Sequence, residues 1–125
     1  MKIALTSVFV HDPVQAHAFY TGTLGFVSRF FMPEASLAIV ASPEEPDGTG
    51  LLLEPNDNPI ARTYQEAIYA QNLPVIVFGT ADIHAEYERL KAAGVVFRGE
   101  PQTSDYGTAV SFEDGFGNLI QLHQP

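Results

Sequence analysis

SDYGTAVSFEDGFGNLIQLHQ, residues 104–124, decides the fold. Two runs rich in β-formers, 108–112 and 118–122, flank Glu113-Asp114-Gly115-Phe116-Gly117. The Asp-Gly and Gly-Asn pairs supply the positive φ angles of a tight reversal, so the segment predicts a closing β-hairpin. On the last strand Leu119, Gln121 and His123 share one face, and Ile120, Leu122 and Gln124 share the other. Two polar groups on one face of an otherwise apolar strand predict a wall that something polar can touch.

Outward from the hairpin, the chain supplies the rest of that wall. Residues 2–10 (KIALTSVFV) form a β-run that stops at His11-Asp12-Pro13, where Asp12 suits an N-cap and Pro13 a first helical turn. A helix over about 13–23 places Pro13, His17, Tyr20 and Leu24 on one stripe before Gly25 ends it. Strands follow at 26–32, 36–41 and 51–54, with turn chemistry through 43–50 (PEEPDGTG). A connector, 56–72, carries its own helix at about 59–71, whose apolar side is Ala61, Tyr64, Ala67 and Ile68. Residues 74–80 are strand again. Asp82 caps a helix over 83–93 with Ile83, Tyr87 and Leu90 on its stripe, Gly94 stops it, and a strand at 95–98 leads into the hairpin.

The two halves share one plan. Sliding the chain by 70 residues sets Asp12 on Asp82, His17 on Tyr87 and Tyr20 on Leu90. Each half reads strand, helix, then three strands, and such internal symmetry fixes an architecture. The expected fold is α+β: two βαβββ modules paired into one domain, with curved mixed sheets enclosing a pocket and helices outside. Module 1 covers about 1–55, the connector about 56–72 and module 2 about 73–125.

Composition narrows the function. Of 125 residues, 46% are hydrophobic and 11% aromatic, enough for a core. A net charge of -9 repels phosphate backbones and argues against a nucleic-acid partner. Without cysteine there is no disulfide, thiolate zinc site or cysteine nucleophile. Met1-Lys2 runs straight into a strand and no apolar run approaches the roughly 20 residues of a membrane span, so a soluble cytoplasmic protein is expected. No nucleophile elbow, phosphate loop or zinc-protease helix motif occurs. Asp105, Glu113 and Asp114 sit near turns and read as solvated carboxylates.

Asp12 with Ala16–Phe26 (AHAFYTGTLGF), the pattern D-x4-Y-x2-L-x3-G from Asp82 to Gly94, and Asp114-Gly115-Phe116-Gly117-Asn118-Leu119-Ile120 together resemble the vicinal oxygen chelate superfamily. That superfamily includes glyoxalase I, extradiol dioxygenases, epimerases and the bleomycin and fosfomycin resistance proteins. The resemblance covers nearly the whole chain outside the connector. It implies a homodimer and, in enzymatic members, a divalent metal held by four inward His, Gln or Glu side chains. The matching positions here are Leu5, Leu52, Val75 and Gln121, three of them hydrocarbon. A two-residue slip brings in Glu54 and His123 but also Ser7 and Val77, still too few donors for such a site. The expected cofactor is therefore none, with a divalent metal ion as the alternative.

Alternation names the pocket residues: Ser7, Phe9, Leu52, Glu54, Val77, Gln121 and His123, a mostly apolar lining with a few hydrogen-bonding groups. Among the histidines, His11 is expected in solvent beside the cap, His17 partly buried and hydrogen-bonded, His84 exposed, and His123 against a bound molecule. Arg29 reaches an anionic group only if its strand turns it inward; a solvated position on the other face is the default for arginine. The function expected is metal-independent binding of a small, largely apolar molecule, of the sequestering or resistance type. One alternative is a lyase, isomerase or dioxygenase with a displaced metal site, or a metal-free enzyme using His123 or Glu54 as general base. The other is a non-catalytic dimeric interaction module.

Overall fold

A computed structural model describes residues Met1–Pro125. The order is β1 (Leu5–Val10), α1 (Pro13–Gly22), β2 (Val27–Met32), β3 (Leu37–Ala41), β4 (Gly50–Pro55), α2 (Pro59–Ala70), β5 (Ile76–Gly79), α3 (Ile83–Ala92), β6 (Gln102–Ser104), β7 (Gly107–Glu113) and β8 (Leu119–Gln124), with one 3-10 turn at Pro33–Ala35. It divides into two compact units, Met1–Tyr64 and Gln65–Pro125. Each contains one four-stranded mixed sheet, ordered β1-β4-β3-β2 in the first and β5-β8-β7-β6 in the second. The two orders are the same plan, as the 70-residue repeat requires. In both, a parallel pair (β1 with β4, β5 with β8) continues into an antiparallel meander.

In the first unit, Asp12 caps α1 with Oδ1 accepting from the backbone N–H of Val14 and Gln15 at 3.1 Å each. Such a cap contributes about 1 kcal/mol. The buried side of α1 is Pro13, Ala16 and Tyr20, packed on β3 and β4. Val8, Val10, Ala38, Val40, Leu51 and Leu53 fill the covered sheet face. Because alternate strand residues face opposite ways, everything one position off in β1 and β4 points away from the helix.

The second unit repeats this. Asp82 Oδ1 accepts from the Ala85 N–H at 3.1 Å, and Gln124 Oε1 takes the Ile83 N–H at 2.8 Å. Ile83, Tyr87 and Leu90 of α3 are buried, as are Val110, Phe112, Ile120 and Leu122 of the sheet. Phe97 sits edge-on to Tyr87 (centroids 4.7 Å apart) and against Phe112 (5.6 Å).

Three expectations need correction. Residues 95–98 are not a strand: only Phe97 bridges to Phe112, because Gly99 at φ 100° turns the chain, and the edge strand is Gln102–Ser104. The inner stripe of α2 is rotated from the expected one. Ala61 and Gln65 are buried while Tyr64 and Ala67 are exposed. Asp114 is not solvated but 2% exposed, and Glu113 is half-buried. Asp114 Oδ1 accepts from the backbone N–H of Phe116 (2.7 Å) and Asn118 (3.1 Å), and its Oδ2 accepts from Asn118 Nδ2 (2.8 Å). Gln65 Nε2 in turn donates to Asn118 Oδ1 and the Phe116 carbonyl, each at 3.1 Å. Buried polar atoms in a turn must be paired, and that requirement outweighs the apolar pattern of α2. Gly117, at φ 101°, leaves room for the amide: a Cβ there would lie 2.6 Å from Gln65 Nε2.

Candidate functional site

In the first unit, the sheet face turned away from α1 carries the residues singled out by alternation. Ser7 lies directly beside Leu52, Phe9 beside Glu54, and Leu5 beside Gly50, so all six share this face. Ile39, paired with Leu52, joins them, and Phe30, paired with Ile39, extends the face to the edge strand. Leu5 and Phe30 are exposed, whereas Phe9, Leu52, Glu54 and Ile39 are half-buried. The surface is apolar, interrupted by one hydroxyl and one carboxylate.

The structure settles the direction of Arg29, which the sequence left open. The β2–β3 register shifts between Ser28 and Phe30, so Arg29 is the extra residue of a β-bulge. Bulges re-aim side chains, and this one swings the guanidinium onto the open face. A Cβ added at Gly50 would meet Ile39 Cγ2 (3.0 Å), Leu5 Cδ1 (3.1 Å) and Arg29 Nη1 (3.6 Å). Nη1 donates to the Gly48 carbonyl. Period-two counting cannot locate a bulge, which is why the sequence left the direction of this arginine open; the side chain is exposed, as expected of a solvated arginine.

In the second unit, Val77 pairs with Gln121 and Gly79 with His123, and Val75 donates its N–H to the Leu119 carbonyl at 3.0 Å. Gln121 also faces Ser111 across β7, and His123 faces Ala109. Val77, Gln121 and His123 thus share the face turned away from α3, as alternation required. Ser111 belongs with them and went unnamed. Its signal was present: Val110 and Phe112 are the apolar alternates of β7, so Ser111 and Glu113 must face the other way.

His123 is not free. Its Nε2–H donates to the Tyr106 carbonyl at 2.8 Å, so Nδ1 is the ring nitrogen left to meet another group. At the far end of the same face, the Tyr69 phenol donates to Glu113 Oε1. Arg98 Nη2 lies 3.3 Å from the Tyr69 oxygen and 3.5 Å from Glu113 Oε1. The hydrogen bond to the Glu113 carboxylate, with burial, raises the Tyr69 pKa against the smaller opposing pull of Arg98. This cluster is a donor to a carboxylate held by a cation, and the phenol stays protonated.

The remaining histidines behave as their positions dictate. His84 and His11 are exposed. His17 is half-buried, shares a 2.8 Å hydrogen bond between Nε2 and Ser28 Oγ, and stacks on Phe31 at 3.8 Å between centroids and 2° between planes. Burial lowers its pKa from the ordinary 6.5. The unfolded chain therefore binds a proton that the folded chain resists, and stability present above pH 6.5 is lost as pH falls below it. Urea midpoints measured from pH 7 downward should fall in the wild type and fall less steeply in His17→Gln; equal slopes would refute the assignment.

The four positions that the resemblance marks for metal ligands are poor in donor atoms. Leu5, Leu52 and Val75 present hydrocarbon, and no group of three or more His, Asp or Glu stands close enough to hold an ion. One amide at Gln121 does not make a site for a divalent ion.

Residues 2–122 match the family model described as Glyoxalase/Bleomycin resistance protein/Dioxygenase superfamily. The chain is 46% identical to the uncharacterized protein YurT of Bacillus subtilis (strain 168), over 99% of both chains. Among solved structures it resembles UcmS2 with a TM-score of 0.82 at 29% identity, covering 98% of this chain and 97% of that one. It also resembles TnmS3, an antibiotic binding protein from Streptomyces sp. CB03234, with a TM-score of 0.77 at 28% identity, covering 100% and 96%.

Proposed function

This chain belongs to the Glyoxalase/Bleomycin resistance protein/Dioxygenase superfamily, and from that premise we propose that it binds a small, largely apolar molecule without a metal, as a sequestering protein. The observation that carries the proposal is the chemistry of the open sheet faces. The positions that the family resemblance marks for metal ligands hold Leu5, Leu52 and Val75, while Ser7 and Glu54 on one sheet, and Gln121, Ser111 and His123 on the other, offer isolated hydrogen-bonding groups on apolar ground. Each face by itself suits contact with an organic molecule, where area supplies affinity and a few polar atoms fix orientation. Likeness to an antibiotic binding protein over the full chain points the same way. The homodimer and the cytoplasmic setting belong to this proposal; no helix is long and apolar enough to cross a membrane.

Thermal-shift screening against antibiotics and polycyclic aromatic metabolites tests it. A ligand at 100 times its dissociation constant adds about 2.7 kcal/mol to the folded state, and EDTA should leave that gain intact. Elemental analysis of protein purified without chelator should find substoichiometric transition metal. A turnover activity abolished by EDTA and restored by manganese, nickel or zinc would replace this proposal with metal enzymology.

A further inference from the structure

The geometry points to a carboxylate-reading subsite at the Arg29 bulge, making the bound molecule an aromatic or alicyclic monocarboxylic acid; this rests on the small-molecule binding proposed above. A cleft of about 420 Å³ opens in the first unit, walled by Lys2, Ile3, Arg29, Glu45, Asp47 and Thr49 among others. Arg29 is the bulged residue of β2, and its Nη1 stands beside the same Gly50 position that Leu5 and Ile39 crowd. The cation therefore sits where the cleft meets the apolar open face.

Its state of pairing carries the inference. The chain has only six Lys and Arg against fifteen Asp and Glu. Arg89 pairs with Glu86 and Arg98 with Glu113, while Arg62 meets only the Asp57 carbonyl and lies outside the cleft, so Arg29 is the cleft's arginine. Arg29 is held by a neutral carbonyl, that of Gly48. Glu45 and Asp47 line the same cleft, yet neither forms an ion pair with it. One of five guanidinium donors is used, so the rest can meet both oxygens of a planar carboxylate. Lys2 lines the same cleft and adds a second positive charge. The two acidic side chains and the net charge of -9 weigh against a doubly charged phosphate more than against a single carboxylate. A hydrocarbon body attached to that carboxylate has Leu5 and Ile39 to lie on.

The test compares 2-naphthoate with its neutral isostere 2-naphthamide, and with inorganic phosphate, by calorimetric titration at fixed ionic strength. Wild type should bind naphthoate about tenfold or more tightly than the amide, the scale of one charge-assisted bidentate contact. Arg29→Gln should erase that preference while leaving amide binding unchanged, with circular dichroism confirming the fold. Phosphate should not compete. Equal binding of acid and amide by wild type overturns the subsite while leaving small-molecule binding in place. So does a preference that survives in Arg29→Gln, or phosphate that competes as well as naphthoate. If neither naphthyl compound binds at millimolar concentration, and the thermal-shift screen is also silent, the function proposed above falls and this inference with it.

Discussion

Asp114→Ala is expected to cost about 3–5 kcal/mol of unfolding free energy, read as a large drop in the urea midpoint with an unchanged m-value. The carboxylate is 2% exposed and serves three donors, the backbone N–H of Phe116 and Asn118 and the Asn118 side-chain amide. Alanine removes every acceptor at once and strands buried N–H groups, each a penalty of about 1–3 kcal/mol. The effect propagates, because Asn118 also receives the Gln65 amide. Gln65→Leu should therefore cost less, about 1–2 kcal/mol, since it deletes donors and leaves acceptors that tolerate being unpaired better. Measured together, the two variants should be non-additive, as residues in one hydrogen-bond network are. A loss under about 1 kcal/mol for Asp114→Ala would mean that the turn is held by its glycines and not by the carboxylate.

Gly107→Ala should be the next most damaging substitution, at about 2–4 kcal/mol, combining backbone strain with a steric conflict. Gly107 sits at φ 115°, and a Cβ there would stand 2.3 Å from the Gln124 carbonyl oxygen and 3.0 Å from His123 Nε2. Backbone cannot rotate away as a side chain would. The relief available is displacement of the end of β8, which breaks the His123–Tyr106 hydrogen bond and withdraws Gln124 Oε1 from the Ile83 N–H that it caps. Urea unfolding should report the loss, and the His123 imidazole resonances should shift in the folded variant. Full stability with unmoved His123 signals would refute this account of the turn.

Much of the candidate site was readable because it depends on short-range rules. Ser7, Phe9, Leu52, Glu54, Val77, Gln121 and His123 lie on the sheet faces that period-two alternation assigns them, and the parallel pairings bring Ser7 to Leu52 and Val77 to Gln121. Ser111 obeys the same rule, lying opposite Gln121 between the buried Val110 and Phe112. The direction of Arg29, left open by the sequence, and the burial of Asp114, misread as solvated, depend on something else. A bulge breaks the alternation at one residue, and an acidic side chain beside glycines looks solvated unless the donors that surround it are known.

What the sequence determined by itself is the repeated βαβββ plan, the Asp12 and Asp82 caps, and the absence of ligating atoms at Leu5, Leu52 and Val75. These follow from residue type, periodicity and local hydrogen bonding, which act over a few positions. Tertiary structure alone decided that Gln65, 49 residues before Asp114 in the chain, completes the buried turn, and that Arg29 turns toward Leu5 and Ile39. Both outcomes depend on groups distant in sequence: a buried amide takes whichever acceptor the fold brings near, and a bulge appears only when two strands settle their register.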